Sequence, residues 1–157
     1  MPMTPESLSQ LGFFSGLRSE HIAEIARYSK RCRFETGETL SRQGELANCF
    51  YVVTSGRVLI EFIGGSQRVS VQEVGPGEAV GFSWFFDPQN VHFTARALEP
   101  VETIFFYGTL VREDCEFDHE LGYELMRRTS QVMLKRLEAL GHLLAQMLAE
   151  KATPPSR

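Results

Sequence analysis

Between Arg31 and Tyr107 the chain is a series of short β-branched and aromatic runs cut by Gly37, Gly44, Gly56, Gly64-Gly65, Gly75 and Gly77. Glycine takes φ > 0 without steric cost, so each cut is a place to turn, and the runs between are of strand length. That rhythm predicts a small antiparallel β jelly roll or barrel. The predicted strands are Arg31–Phe34, Thr39–Ser41, Cys49–Thr54, Arg57–Ile63, Arg68–Val74, His92–Ala97 and Val101–Tyr107, with Glu99-Pro100 as the last hairpin turn.

On either side the pattern turns helical. Leu8 to Ser29 reads as a helical opening segment, with Ser19 as an N-cap and Ile22, Ile25 and Ala26 as its apolar face. After Gly108 the period changes from two to about 3.6, and a helix is predicted from near Phe117 to Glu150, roughly 50 Å long at 1.5 Å per residue. Met126, Met133, Leu140 and Met147 recur every seven residues, with Ser130, Leu137 and Leu144 between them, which is an a/d seam. Leu121, Leu125 and Val132 form a second stripe. A helix with two apolar stripes needs two partners, and a small β domain covers only its first part, so the seam predicts a parallel homodimer through Met126, Met133, Leu137, Leu140, Leu144 and Met147. Thr153-Pro154-Pro155-Ser156-Arg157 reads as a helix stop and tail. The organisation is therefore 1–30 N-terminal helical segment, 31–108 β-roll, 109–152 C-terminal helices and 153–157 tail.

Composition removes several function classes. No apolar run approaches the roughly 20 residues of a membrane span, and Met1 to Gln10 carries neither a basic region nor an apolar block, so a cytoplasmic, membrane-free protein is expected. A net charge of -4 argues against general binding to nucleic acid. Cys32, Cys49 and Cys115 are far apart and odd in number, which fits reduced thiols. No cofactor is implied. Cys115 and His119 lie four apart without a third ligand, so no metal site is expected.

Enzyme activity is not expected either. His21, His92, His119 and His142 fall one per element, no H-x-H offers the clustered ligands a metal-dependent cupin needs, and no G-x-S-x-G is present.

One stretch carries a family resemblance. Pro76-Gly77-Glu78-Ala79-Val80-Gly81-Phe82-Ser83-Trp84-Phe85-Phe86, followed by His92-Phe93-Thr94-Ala95-Arg96-Ala97, resembles the phosphate-binding cassette of cyclic nucleotide-binding domains of the catabolite activator/FNR group. Arg33 to Leu40, Gln43-Gly44-Glu45 and Phe50 to Val58 resemble the same family's opening strands, so the likeness covers about residues 12 to 150. It implies a β-roll with short N-terminal helices, the cassette at 75–97, and a long dimerisation helix. In the family an arginine and helix-turn amides meet the cyclic phosphate, and a glutamate takes the ribose hydroxyl. Aligned on Gly81, Phe82 stands at the glutamate position and Val91 at the arginine position. The shortened loop also lets His92 reach that place, but histidine lacks the guanidinium fork. The family has a small alanine where Phe93 falls, and base-contacting hydroxyls are missing near Leu140 and Gly141.

The resemblance therefore implies a pocket that has exchanged charge for aromatic rings, with Gly81, Phe82, Ser83, Trp84, Val91, His92 and Phe93 as its candidate residues. Strand alternation places Val91, Phe93, Ala95 and Ala97 toward the interior and His92, Thr94 and Arg96 on a solvated face. Ser83 is read as a cap on the turn Trp84–Phe86 and Trp84 as a partly buried anchor. Two outcomes stay open: a self-filled scaffold, or a sensor of a small molecule other than cyclic AMP or cyclic GMP that signals to a separate effector protein. In the transcription factors of this group a DNA-reading helix-turn-helix follows the long helix. None is expected here, which leaves a regulator acting through mixed dimers as the alternative.

Overall fold

The computed structural model describes residues 3–86 and 89–152. The predicted stop and tail at 153–157, and the first two residues of the N-terminal segment, lie outside the described residues. The chain opens with α1 (Pro5–Ser9), a 3₁₀ turn (Gly12–Phe14) and α2 (Ser19–Ala26). Strands β1 (Ser29–Phe34), β2 (Thr39–Ser41), β3 (Cys49–Ser55), β4 (Val58–Gly64), β5 (Gln67–Val74), β6 (Ala79–Val80), β7 (Thr94–Ala97) and β8 (Val101–Tyr107) follow. Helices α3 (Gly108–Phe117) and α4 (His119–Ala152) complete the described chain.

The strands form two antiparallel four-stranded sheets, ordered β1-β8-β3-β6 and β2-β7-β4-β5. The architecture is a jelly-roll-type pair of sheets without a closed barrel. Strand β3 shows why the apolar runs are continuous. Phe50 and Val52 face the helices while Tyr51 and Val53 face the second sheet, so both faces are buried and both need apolar residues. On the helical side Trp84, Phe50 and Phe106 stack in succession, with ring centroids 4.5 and 4.7 Å apart. Val58, Ile60, Ala95 and Ala97 fill the space between the sheets.

Helix α4 is seated on this body by its first half only. Leu121, Leu125 and Thr129 are buried, Val132 is partly covered, and among the described residues no α4 residue after Arg136 is buried. Arg128 ties the seat down by donating to Ser15 O at 2.5 Å and to Glu124 Oε2 at 2.6 Å. The predicted seam lies on the other side: Met133, Leu137, Leu144 and Met147 are exposed, while Met126 and Leu140 are half-buried.

Several local expectations change. The opening segment consists of short helical pieces, as expected, but Arg18, not Ser19, occupies the cap position of α2. The long helix starts at His119, two residues past the expected Phe117. Asp118 breaks it from α3, because its carboxylate Oδ1 accepts from Leu121 N at 3.1 Å and starts a new helix. Strand β7 begins at Thr94 rather than His92. The preceding residues leave the sheet and pair with the loop after β2, where Val91 N donates to Glu45 O at 2.7 Å. Strand β6 has two residues, too few for any period to show.

Candidate ligand pocket

The pocket is built where β6 ends. Gly81 follows with φ +102°, a region costly to residues with a Cβ, and this reverses the chain off the sheet edge into the 3₁₀ turn Ser83–Phe85. The turn is held from below. Trp84 is 1% exposed and stacked on Phe50, so its ring belongs to the core rather than forming a partly buried anchor. Its carbonyl accepts from Arg112 at 2.6 Å. A Cβ on Gly108 would lie 2.9 Å from Trp84 Cβ, so the absence of a side chain there lets α3 close on the turn.

All seven sequence candidates, Gly81, Phe82, Ser83, Trp84, Val91, His92 and Phe93, border one cavity of about 210 Å³ between the sheets and the turn. Leu40, Tyr51, Ile60, Val80 and Ala95 form its apolar floor, and Glu45, Leu46 and Asn48 stand on its wall. Ser83 does not cap the turn. Phe82 holds the cap position without a side-chain bond, and Ser83 Oγ shares a 2.7 Å hydrogen bond with His92 Nδ1. His92 stays exposed, as expected of a solvated face, but borders the pocket, with its ring stacked 6.1 Å from that of Phe82.

The other two residues placed on that outer face are also engaged. Thr94 is buried and its hydroxyl accepts from Gln43 N at 3.0 Å. Arg96 reaches the buried Glu61, which Arg68 also approaches at 3.2 Å.

The residue that sequence reasoning missed is Arg136. It lies on α4, is 4% exposed, and lines the cavity with its guanidinium carbon 4.6 Å from the centroid of the Phe93 ring and 5.6 Å from that of Phe82. Its Nε donates to Gln72 Oε1 on β5 at 2.8 Å. Among the described residues no carboxylate pairs with it, and burial alone pushes the guanidinium down to about 10. It remains charged at neutral pH. A pocket expected to be uncharged thus holds a cation, delivered from the helix and not from the cassette. The signal was present in the sequence: Leu121, Leu125, Arg128, Val132 and Arg136 are spaced along one helical face.

The rest of the lining is weakly charged. Burial pushes the Tyr51 phenol and the Cys49 thiol up, so both are neutral at physiological pH. Among the described residues Arg136 is the one arginine or lysine on the wall, and Glu45 stands exposed on it. Cys32, Cys49 and Cys115 are free thiols. Among the described residues no cluster of three or more His, Cys, Asp and Glu is placed to hold a metal ion, and no helix is long and apolar enough to cross a membrane.

Comparison with known proteins agrees with this fold. The family model for the cyclic nucleotide-binding domain matches residues 31–113. The chain is 28% identical over 140 residues to the cyclic AMP receptor protein of Thermus thermophilus, covering 88% of this chain and 56% of that protein. It is 24% identical over 144 residues to a CRP-like cAMP-activated global transcriptional regulator of Mycobacterium tuberculosis, covering 91% of this chain and 62% of the regulator. The chain therefore spans less than two thirds of these relatives. Among solved structures, a Geobacter metallireducens protein assigned to cyclic nucleotide binding superposes with a TM-score of 0.77 at 30% identity, over 86% of this chain and 98% of that one. The N-terminal domain of a Streptomyces coelicolor transcriptional regulator gives a TM-score of 0.64 at 25% identity, over 85% and 94%.

Proposed function

The chain belongs to the cyclic nucleotide-binding domain family, and on that premise we propose that it is a non-enzymatic, dimeric regulatory module. In this reading it senses a small ligand other than cyclic AMP or cyclic GMP and signals through a separate partner protein. The observation that carries it is the position of Arg136, which is at once part of the cavity wall and part of the helix that bears the exposed seam. A ligand that engages the cavity must act on α4, because it meets the guanidinium that seats the helix against Phe82, Phe93 and Gln72. Occupancy then shifts the population of helix positions, and with it the surface that a dimer presents.

Two features favour a ligand different from those named for the relatives. Phe82 and Val91 stand where the resemblance places a glutamate and an arginine, so neither the ribose hydroxyl nor the phosphate finds its usual contact. The cavity, at about 210 Å³, is also below the roughly 300–1,000 Å³ of pockets that take drug-sized molecules. The dimer rests on the second half of α4, where Leu137, Leu144, Met147 and Leu148 are exposed beyond the reach of the chain's own sheets.

A thermal-shift series tests the ligand side. A ligand at 100 times its dissociation constant stabilises by about 2.7 kcal/mol, so a binder is readily seen. Millimolar cyclic AMP and cyclic GMP are expected to leave the melting temperature unchanged, and a clear rise with either one overturns the proposal. Light scattering tests the dimer, with twice the chain mass expected and a single-chain mass contradicting it.

A further inference from the structure

We propose, resting on the pocket reading above, that the ligand is a small organic monocarboxylate with a flat apolar body, its carboxylate held by the free Nη groups of Arg136. Two other shielded guanidinium groups, on the buried Arg128 and the half-buried Arg96, are both paired. Arg128 is paired with Glu124 and the Ser15 carbonyl, and Arg96 is paired with the buried Glu61. Arg136 is as deeply buried as Arg128, yet among the described residues its hydrogen-bond partner is one neutral amide, Gln72 Oε1, on Nε. A buried charge without a counter-ion is unfavourable, and an anionic ligand is what would relieve it.

The shape of the site narrows the anion. The Phe82 and Phe93 rings, tilted at 58° with centroids 6.2 Å apart, both sit against the guanidinium, and a guanidinium takes a carboxylate in its own plane with two parallel N–H···O bonds. A single cation on the wall among the described residues, with Glu45 opposing further negative charge, matches one negative charge and disfavours a phosphate dianion. The floor of Leu40, Ile60, Val80 and Ala95 is apolar and its one hydroxyl, on Tyr51, is neutral, so it offers no charge to a second charged end, which favours a flat apolar body. Ser83 and His92, already bonded to each other, supply a polar rim. Because burial pushes Arg136 down to about 10, the charge that holds the anion is present at neutral pH and is lost in strong alkali.

The test uses the full chain, with benzoate and phenylacetate as probes and benzamide and inorganic phosphate as controls, followed by amide chemical shifts and calorimetry. The expected result is that the acids at millimolar concentration move the signals of Phe82, Ser83 and Phe93, while phosphate does not. Benzamide should bind about 10- to 100-fold more weakly, as should benzoate to Arg136→Met, with Arg136→Lys in between. Benzamide binding as tightly as benzoate at the same residues, or unchanged benzoate affinity in Arg136→Met, overturns the carboxylate inference and leaves the pocket reading standing. If none of the organic probes moves those signals, this inference falls. A shift with inorganic phosphate alone reassigns the site to a free oxyanion and also overturns it. The fold of each variant is checked in the same spectra, so loss of binding is separated from loss of structure.

Discussion

The guanidinium of Arg136 lies 4.6 Å from the centroid of the Phe93 ring, so the long helix and the strand-side wall of the cavity meet at a charged contact with no carboxylate partner among the described residues. That one contact joins the part of the molecule that resembles a ligand site to the part that carries an unpartnered apolar stripe. It also makes the site a source of instability, since the charge is desolvated and weakly compensated.

Replacing Arg136 by Met therefore separates stability from function. A methionine of similar length keeps the packing on Phe82 and Phe93 and removes the desolvated charge, so the ligand-free protein is expected to gain about 1–2 kcal/mol. The urea midpoint reports it. A lower midpoint would mean that the cation–ring contacts and the Gln72 bond outweigh the desolvation of the charge.

Two glycines of the C-terminal helices should respond in opposite directions. Gly108→Ala places a Cβ 2.9 Å from Trp84 Cβ and 3.1 Å from its ring, and is expected to cost roughly 1–3 kcal/mol through displacement of the turn. Gly141→Ala, with nothing within 4 Å, is expected to stabilise by about 0.5–1 kcal/mol through helix propensity. Thermal melts of both variants decide it.

The junction of α3 and α4 should be acid-sensitive. Asp118 is held below the ordinary carboxylate value of 3.8, first by the Leu121 N–H and then by the nearby His21, whose Nε2 lies 3.2 Å away. A carboxyl depressed in the folded state contributes its full stabilisation above the unfolded value and loses it as pH falls through the lowered one. Stability should therefore drop below pH 3.8, and Asp118→Asn should flatten that part of the curve. Denaturation midpoints between neutral pH and the acid limit measure it.

The exposed seam is tested by charge. Leu137→Glu with Leu144→Glu puts four carboxylates into a paired helix interface, and the species in light scattering is expected to fall to one chain mass. The amide spectrum of residues 31–108 should be retained, because no α4 residue after Arg136 is buried among those described. An unchanged mass would remove this face from the proposed dimer.

The amino-acid order was enough for the β architecture, because glycine placement and alternation act locally. Thr39–Ser41 and Val101–Tyr107 appear with the bounds that their residues predict, the other predicted strands shift by one or two residues at their ends, and only the two-residue β6 was not predicted. The helix with two stripes was legible for the same reason, since Leu121 and Leu125 repeat at helical spacing and are fully buried. The seven residues named around Gly81 were found through resemblance to a cassette, and they do border one cavity.

What no local pattern could supply is which distant groups meet. Ser83 and His92 are nine residues apart and share a hydrogen bond that alternation along a strand does not predict, although His92 is exposed as alternation expects. Arg136 lies more than forty residues beyond either, and only the seating of α4 on β5 brings it to the cavity. Alternation and helical period record the face on which a side chain stands. The charge of the pocket depended on long-range packing, where a cation arrives from another element and has its worth set by burial and by the partners it lacks.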